Sequence, residues 1–176
     1  MNNKIILTLS EKPCRNEAVS RFFGSPTVPG EWFDDEVFSD SEIFVCQLAL
    51  ADLTDFGGYG LLPKEGYLYL FYDVLDALHP LRLRFFAGDP DTVIEDFNEG
   101  MDFKKVPKEY SVRFSAEDPI TPEAFVSVLE KENDEVTLFD FTYAQVDLFS
   151  FLKDKKRIKI SVQDLEKLRF DKAILT

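Results

Sequence analysis

Two stretches decide the fold: Ile43-Phe-Val-Cys-Gln47-Leu-Ala-Leu50 and Tyr67-Leu-Tyr-Leu-Phe-Tyr-Asp-Val74. Both are apolar at odd and even positions, so both faces of each must be covered, and both have strand length rather than helix length. They predict two central strands. Gln47 is the only strongly polar side chain in the first run. A buried primary amide needs partners for its carbonyl and two N–H donors or it costs a few kcal/mol. Gln47 is therefore expected to tie a neighbouring segment, such as Ser20–Pro29, to the sheet, with a ligand contact as the alternative.

Working outward, Leu81–Ala87 and Tyr110–Ser115 alternate. Leu81, Leu83, Phe85 and Ala87 oppose Arg82, Arg84 and Phe86, and Tyr110, Val112 and Phe114 oppose Ser111, Arg113 and Ser115. Period 2 predicts strands with one face on the core and one towards solvent. Val136–Phe141 and Arg157–Ile160 are further strands. Three helices are predicted. One starts at Thr121-Pro122-Glu123, an N-cap, a first-turn proline and an acid, with Phe125, Val128 and Leu129 on one face. Ser161 to Asp164 approximates a capping box for a helix with a Leu165/Leu168 stripe. A third runs from Thr92 towards Gly100. Gly and Pro clusters, among them Gly57-Gly58-Tyr59-Gly60 and Gly88-Asp89-Pro90, punctuate the chain. Many strands and few peripheral helices give an α+β, β-rich fold: one compact domain over 1–176, mostly antiparallel.

The 176 residues carry 20 Lys and Arg against 33 Asp and Glu, a formal charge of −13. A chain of this length buries roughly two-thirds of its unfolded surface, and 45% apolar residues are enough to form a core. The charge disfavours phosphate backbones and anionic lipid, so neither nucleic acid nor membrane is an expected partner. The apolar run Ile5–Leu9 is too short for a secretory h-region, and no run approaches a membrane span. The expected compartment is the cytoplasm, with Cys14 and Cys46 as reduced thiols.

No constellation for catalysis stands out, and the chain reads as non-enzymatic, with no cofactor. One His and two Cys cannot build a zinc site. His79, before Pro80, has no nucleophile near it in sequence. The Gly57–Gly60 cluster lacks the Lys-Ser/Thr of a phosphate loop. Six acids and no base occupy Glu31–Glu42, and six more occupy Asp89–Asp102. Neither has calcium-loop spacing, and both read as solvated surface. The candidate binding residues are Gln47, Trp32, Arg82, Arg84 and Arg113. Trp32 is a core plug or a binding anchor. If their strands are neighbours, the three arginines form a basic patch able to take a carboxylate or phosphate; otherwise they pair with nearby acids. Residues 153–172 hold eight bases and four acids, a local +4 that leaves −17 elsewhere, so this segment either docks on the acidic body of its own or a neighbouring chain or is an ordinary solvated helix with scattered lysines.

Three segments together resemble one family. They are Ser20-Arg-Phe-Phe-Gly-Ser-Pro-Thr-Val-Pro29 with Trp32, Ile43–Leu53 with Leu62-Pro63-Lys-Glu-Gly66-Tyr-Leu-Tyr-Leu-Phe-Tyr72, and Ile160–Ala173. They are similar to the YwqG-like family, a bacterial group with no assigned biochemical role. Here Gly24-Ser25 stands where the family has Gly-Gly, and Trp32-Phe33 where it has Trp-Pro. The chain looks like a shortened member, and the resemblance implies a compact β-rich unit without lending an activity.

The function expected from all this is a cytoplasmic protein-binding module. One alternative is an acidic, immunity-type neutraliser of a basic toxin or nuclease, since the charge suits fast association with a basic partner. Another is an enzyme or small-ligand binder with a pocket lined by carboxylates and Gln47.

Overall fold

The computed structural model describes residues 4–14, 19–56, 60–98, 108–121 and 123–176. Gly57, Gly58, Tyr59, Gly100 and Pro122, which figured in the sequence reading, lie outside the described residues. In chain order the strands are β1 (Ile5–Ser10), β2 (Arg21–Phe22), β3 (Thr27–Val28), β4 (Glu42–Ala49), β5 (Tyr67–Asp73), β6 (Leu81–Phe86), β7 (Thr92–Val93), β8 (Tyr110–Ser115), β9 (Phe125–Glu132), β10 (Glu135–Asp140), β11 (Arg157–Ser161) and β12 (Ile174–Leu175). Among the described residues, two short α-helices, α1 (Gly30–Asp34) and α2 (Val162–Glu166), and three 3-10 turns complete the β-rich α+β fold. The pairs β1–β9, β9–β10, β10–β11, β11–β12, β2–β4, β2–β8, β4–β5, β5–β6 and β3–β7 are antiparallel. No described helix is long and apolar enough to cross a membrane.

By its contacts the chain divides into two compact units. The first comprises Met1–Ser10, Leu50–Lys64 and Val112–Thr176. Its strands run in the order β12-β11-β10-β9-β1. The core includes Ile5, Leu7, Val126, Val128, Phe139, Phe149 and Ile158, each 1% exposed or less. Phe139 and Phe141 stack nearly parallel at 5.8 Å, and Phe149 tilts against Phe141 at 4.7 Å.

The helix expected from Thr121 onward is a strand, β9. Phe125, Val128 and Leu129 do fall at helical spacing, but Val126 and Val128 also alternate and are β-branched. Asn133, at φ 56°, turns β9 into its hairpin partner β10. Pairing with β1 on one side and β10 on the other overrides the weak local preference.

The helix from Ser161 is present. Ser161 Oγ accepts the Asp164 N–H at 3.0 Å, and Leu165 is buried. It ends at Glu166, however, so Leu168 lies beyond it at φ 53° and 38% exposed rather than on an apolar stripe. In the 153–172 segment Arg157, Lys159, Arg169 and Lys172 pair with Asp140, Glu135, Asp164 and Asp171, all within this unit.

The second unit comprises Glu11–Ala49 and Glu65–Ser111. Its strand order is β2-β4-β5-β6, and β3 and β7 form a separate two-stranded ribbon. β4 and β5 are flanked on both sides, as their unbroken apolar character predicts. Gly66, at φ +99°, enters β5 where a Cβ would sit 2.6 Å from the Phe86 carbonyl, which excludes other residues. The helix expected from Thr92 is instead β7 followed by a turn at Glu95–Asn98. Asp96 at φ 56° breaks the helical path, and Ile94 and Phe97 are drawn into the aromatic core.

The β4–β5 register shifts by one residue between Phe44 and Cys46. Phe44 faces Phe71, and Gln47 faces Tyr69. Opposed residues share a face, so the bulge at Val45 puts Phe44 and Gln47 on the same side, where plain alternation would separate them.

Candidate functional site

That face carries the core of the second unit: Val28, Phe44, Tyr69 and Phe71, all fully buried. Gln47 and Tyr69, opposite one another, grip a single residue of the preceding segment. Gln47 Oε1 accepts the Thr27 N–H at 2.9 Å, and the Tyr69 hydroxyl donates to the Thr27 carbonyl at 2.7 Å. Gln47 Nε2 donates to the Val19 carbonyl at 2.8 Å, and Ser20 Oγ accepts the Ala49 N–H at 2.9 Å. Gln47 thus ties the 20–29 segment to the sheet and, at 0% exposure, offers no surface to a ligand.

Trp32 projects inward from α1. Its ring meets Tyr69, Phe86 and Phe38 edge-on at 5.3, 6.0 and 6.4 Å, covering the core cluster. Residue i+1 on a helix points about 100° away. Phe33 is accordingly 57% exposed, with Asp34 beside it. The helix is started by the Asp91 carboxylate, which accepts the Gly30 N–H at 2.9 Å, and it ends where Glu36 adopts φ 51°.

Arg82 and Arg84 do not face open solvent, as strand alternation suggested. Their side chains are 28% and 17% exposed. Arg84 makes a two-pronged contact with Glu42, at 2.8 and 2.9 Å, and its guanidinium lies 4.9 Å from the Phe38 ring centre and 5.0 Å from that of Phe71. Arg82 bonds Asp73 and Asp76 at 3.2 and 3.0 Å. Arg113 belongs to the other unit by its position on β8 and pairs there with Glu123 at 3.2 Å. The premise of a shared patch fails: β6 pairs with β5 and β8 with β2, so the two strands are not neighbours. Glu42 is a second departure from expectation. It belongs to the acid run read as solvated, but it is 2% exposed.

Asp34, Glu36 and Asp40 of that run line an open cleft of about 910 Å³ within the second unit. One wall is the 33–42 segment, with Phe33, Asp34, Glu36, Phe38 and Asp40; the other is the turn after β7, with Ile94, Asp96 and Phe97. Asn98 fixes that turn by accepting the Phe44 N–H at 2.9 Å and donating to the Phe44 carbonyl at 3.3 Å. Glu42 at the cleft is neutralised by Arg84. Asp34, Glu36, Asp40 and Asp96 make no ion pair or side-chain hydrogen bond with any described residue. The second unit as a whole holds eight Lys and Arg against 18 Asp and Glu, 8 − 18 = −10 of the chain's −13.

Four carboxylates without a partner among the described residues, beside an exposed aromatic ring, suit an ammonium or guanidinium group, which gains from both charge and ring face. Acid–base or nucleophilic chemistry has less to draw on. His79 is exposed, and its imidazole makes no hydrogen bond with a described residue. Burial pushes the Cys46 thiol far up, and burial together with the Glu109 carboxylate pushes Cys14 to about 11, so neither is a ready nucleophile at neutral pH. Among the described residues no three His, Cys, Asp or Glu side chains group closely enough to hold a metal ion. The cleft was not foreseen from sequence. Its signal was the interleaving of Phe33 and Phe38 with acids, which a count of charge alone passes over. No protein-family model and no curated protein matches the chain.

Proposed function

We propose that this chain is a non-enzymatic, cytoplasmic protein-binding module of the YwqG-like type, and that its acidic unit receives a basic protein partner in the cleft between Phe33–Glu42 and Ile94–Phe97. The observation that carries this reading is the set of four carboxylates, Asp34, Glu36, Asp40 and Asp96, left without cationic partners among the described residues beside the exposed Phe33 ring. The buried acids Glu42, at the same cleft, and Asp140 are by contrast matched, by Arg84 and Arg157. Unmatched like charges in one cleft cost self-repulsion that a basic partner would relieve, and they would steer its approach.

The concentration of −10 in one unit favours a sharper version, an immunity-type neutraliser that caps a basic toxin or nuclease. The test is a pull-down across a salt series with the wild-type chain and an Asp34→Asn/Glu36→Gln/Asp40→Asn/Asp96→Asn variant. A basic protein retained by the first and lost by the second, eluting as salt rises, is the expected result. Equal retention by both refutes the cleft. Inhibition of the captured protein's own activity at equal stoichiometry would mark the neutraliser.

A further inference from the structure

The tip of the β5–β6 hairpin, residues 74–80, carries two leucines that the fold does not cover. Leu75 is 82% exposed and Leu78 is 85% exposed. A lone surface leucine is ordinary, but this pair sits on a backbone that is held at many points. Asp73 Oδ1 accepts the Ser41 hydroxyl at 2.6 Å and the Leu75 and Asp76 N–H groups at 3.1 and 3.2 Å. Its Oδ2 takes the Ser39 hydroxyl at 3.1 Å and Arg82 at 3.2 Å. Asp76 accepts the His79 N–H at 2.9 Å, Arg82 also donates to the His79 carbonyl, and Asp73 N–H to Pro80 carbonyl at 2.7 Å closes the hairpin. A tip fixed in this way loses little further freedom when it binds, which is the condition for an efficient apolar anchor.

Its position points to the occupant. Ser39 and Ser41, which hold Asp73, belong to the segment whose Ser39 and Asp40 line the acidic cleft. The unit's −10 repels anionic lipid, and a second copy of a −13 chain brings more of the same charge. Charge complementarity leaves a cationic protein surface that is also apolar. We propose that Leu75 and Leu78 anchor a cationic amphipathic helix of the partner, whose apolar stripe covers the two leucines while its basic side chains meet the cleft carboxylates. This rests on the preceding reading that the partner is basic.

Two synthetic helices of about five turns separate the two ideas, one with a leucine stripe flanked on both sides by lysines and one with those leucines replaced by alanine at equal charge. By calorimetry the wild-type chain is expected to bind the leucine peptide roughly tenfold more tightly than the alanine peptide. Leu75→Ser/Leu78→Ser should erase that difference and leave alanine-peptide binding unchanged, with the urea midpoint confirming an intact fold. A leucine advantage that persists in the double variant, or that is absent from the wild type, overturns the anchor. Leucine-peptide binding that ignores the four cleft substitutions refutes the cleft and leaves the anchor standing. Binding of neither peptide overturns both.

Discussion

Arg84→Met removes the partner of a carboxylate that is almost wholly buried. Glu42 is 2% exposed and receives two hydrogen bonds from Arg84, at 2.8 and 2.9 Å; among the described residues the nearest other cation, Arg82 Nε, is 3.8 Å away. Breaking a buried pair from one side costs about 3–5 kcal/mol, because the remaining charge is left desolvated. Methionine keeps much of the packing volume against Phe38 and Phe71 but forfeits the cation–ring contacts. Arg82 offsets part of the loss, so about 3 kcal/mol is expected for the single variant. With a urea slope of about 2 kcal/mol/M, the unfolding midpoint should fall by about 1.5 M.

The double variant Arg84→Met/Glu42→Gln removes the stranded charge. The glutamine oxygen can still accept the Ser39 N–H that Glu42 takes at 3.3 Å. Its stability should return to within about 1 kcal/mol of wild type, a midpoint within about 0.5 M, since replacing both members of a buried pair is often nearly neutral. The competing role, a ligand-binding arginine, makes the opposite forecast. An unchanged midpoint for Arg84→Met, coupled with lost affinity for a carboxylate or phosphate, would refute the structural account of this residue.

Gln47→Leu fits the volume but orphans the buried Thr27 N–H and the Val19 carbonyl, and should cost about 2–4 kcal/mol in urea unfolding. Burial works to raise the Asp73 carboxyl, but the Ser41 and Ser39 hydroxyls and the Leu75 and Asp76 N–H groups outweigh it and hold the pKa below the usual value. A folded pKa depressed in this way contributes stability above the unfolded value of about 3.9, lost as pH falls through the folded one. The stability gap between wild type and Asp73→Asn should therefore be constant near neutrality and shrink below about pH 4 in a pH series of urea midpoints. A gap that widens on acidification would contradict the assignment.

The sequence by itself determined the elements whose pattern admits one reading. Ile43–Leu50 and Tyr67–Val74 are apolar on both faces and could only be covered strands, and the Ser161/Asp164 cap satisfies its own helix start within four residues. It also required partners for Gln47, because a buried amide without them is too costly. Tertiary structure alone decided what depends on pairing between distant segments. Residues 125–132 became strand because β1 and β10 offered ladders on both sides, although the local spacing also matched a helix. The one-residue bulge at Val45 chose the face on which Gln47 meets Thr27, and no local signal announces a register shift. The acids of 31–42 look alike in the chain. Only their distance from Arg84 separates Glu42, buried and neutralised, from Asp34, Glu36 and Asp40, which line the cleft with their charge unmatched among the described residues, because the Coulomb energy of a carboxylate is set by what the fold brings within a few ångströms of it.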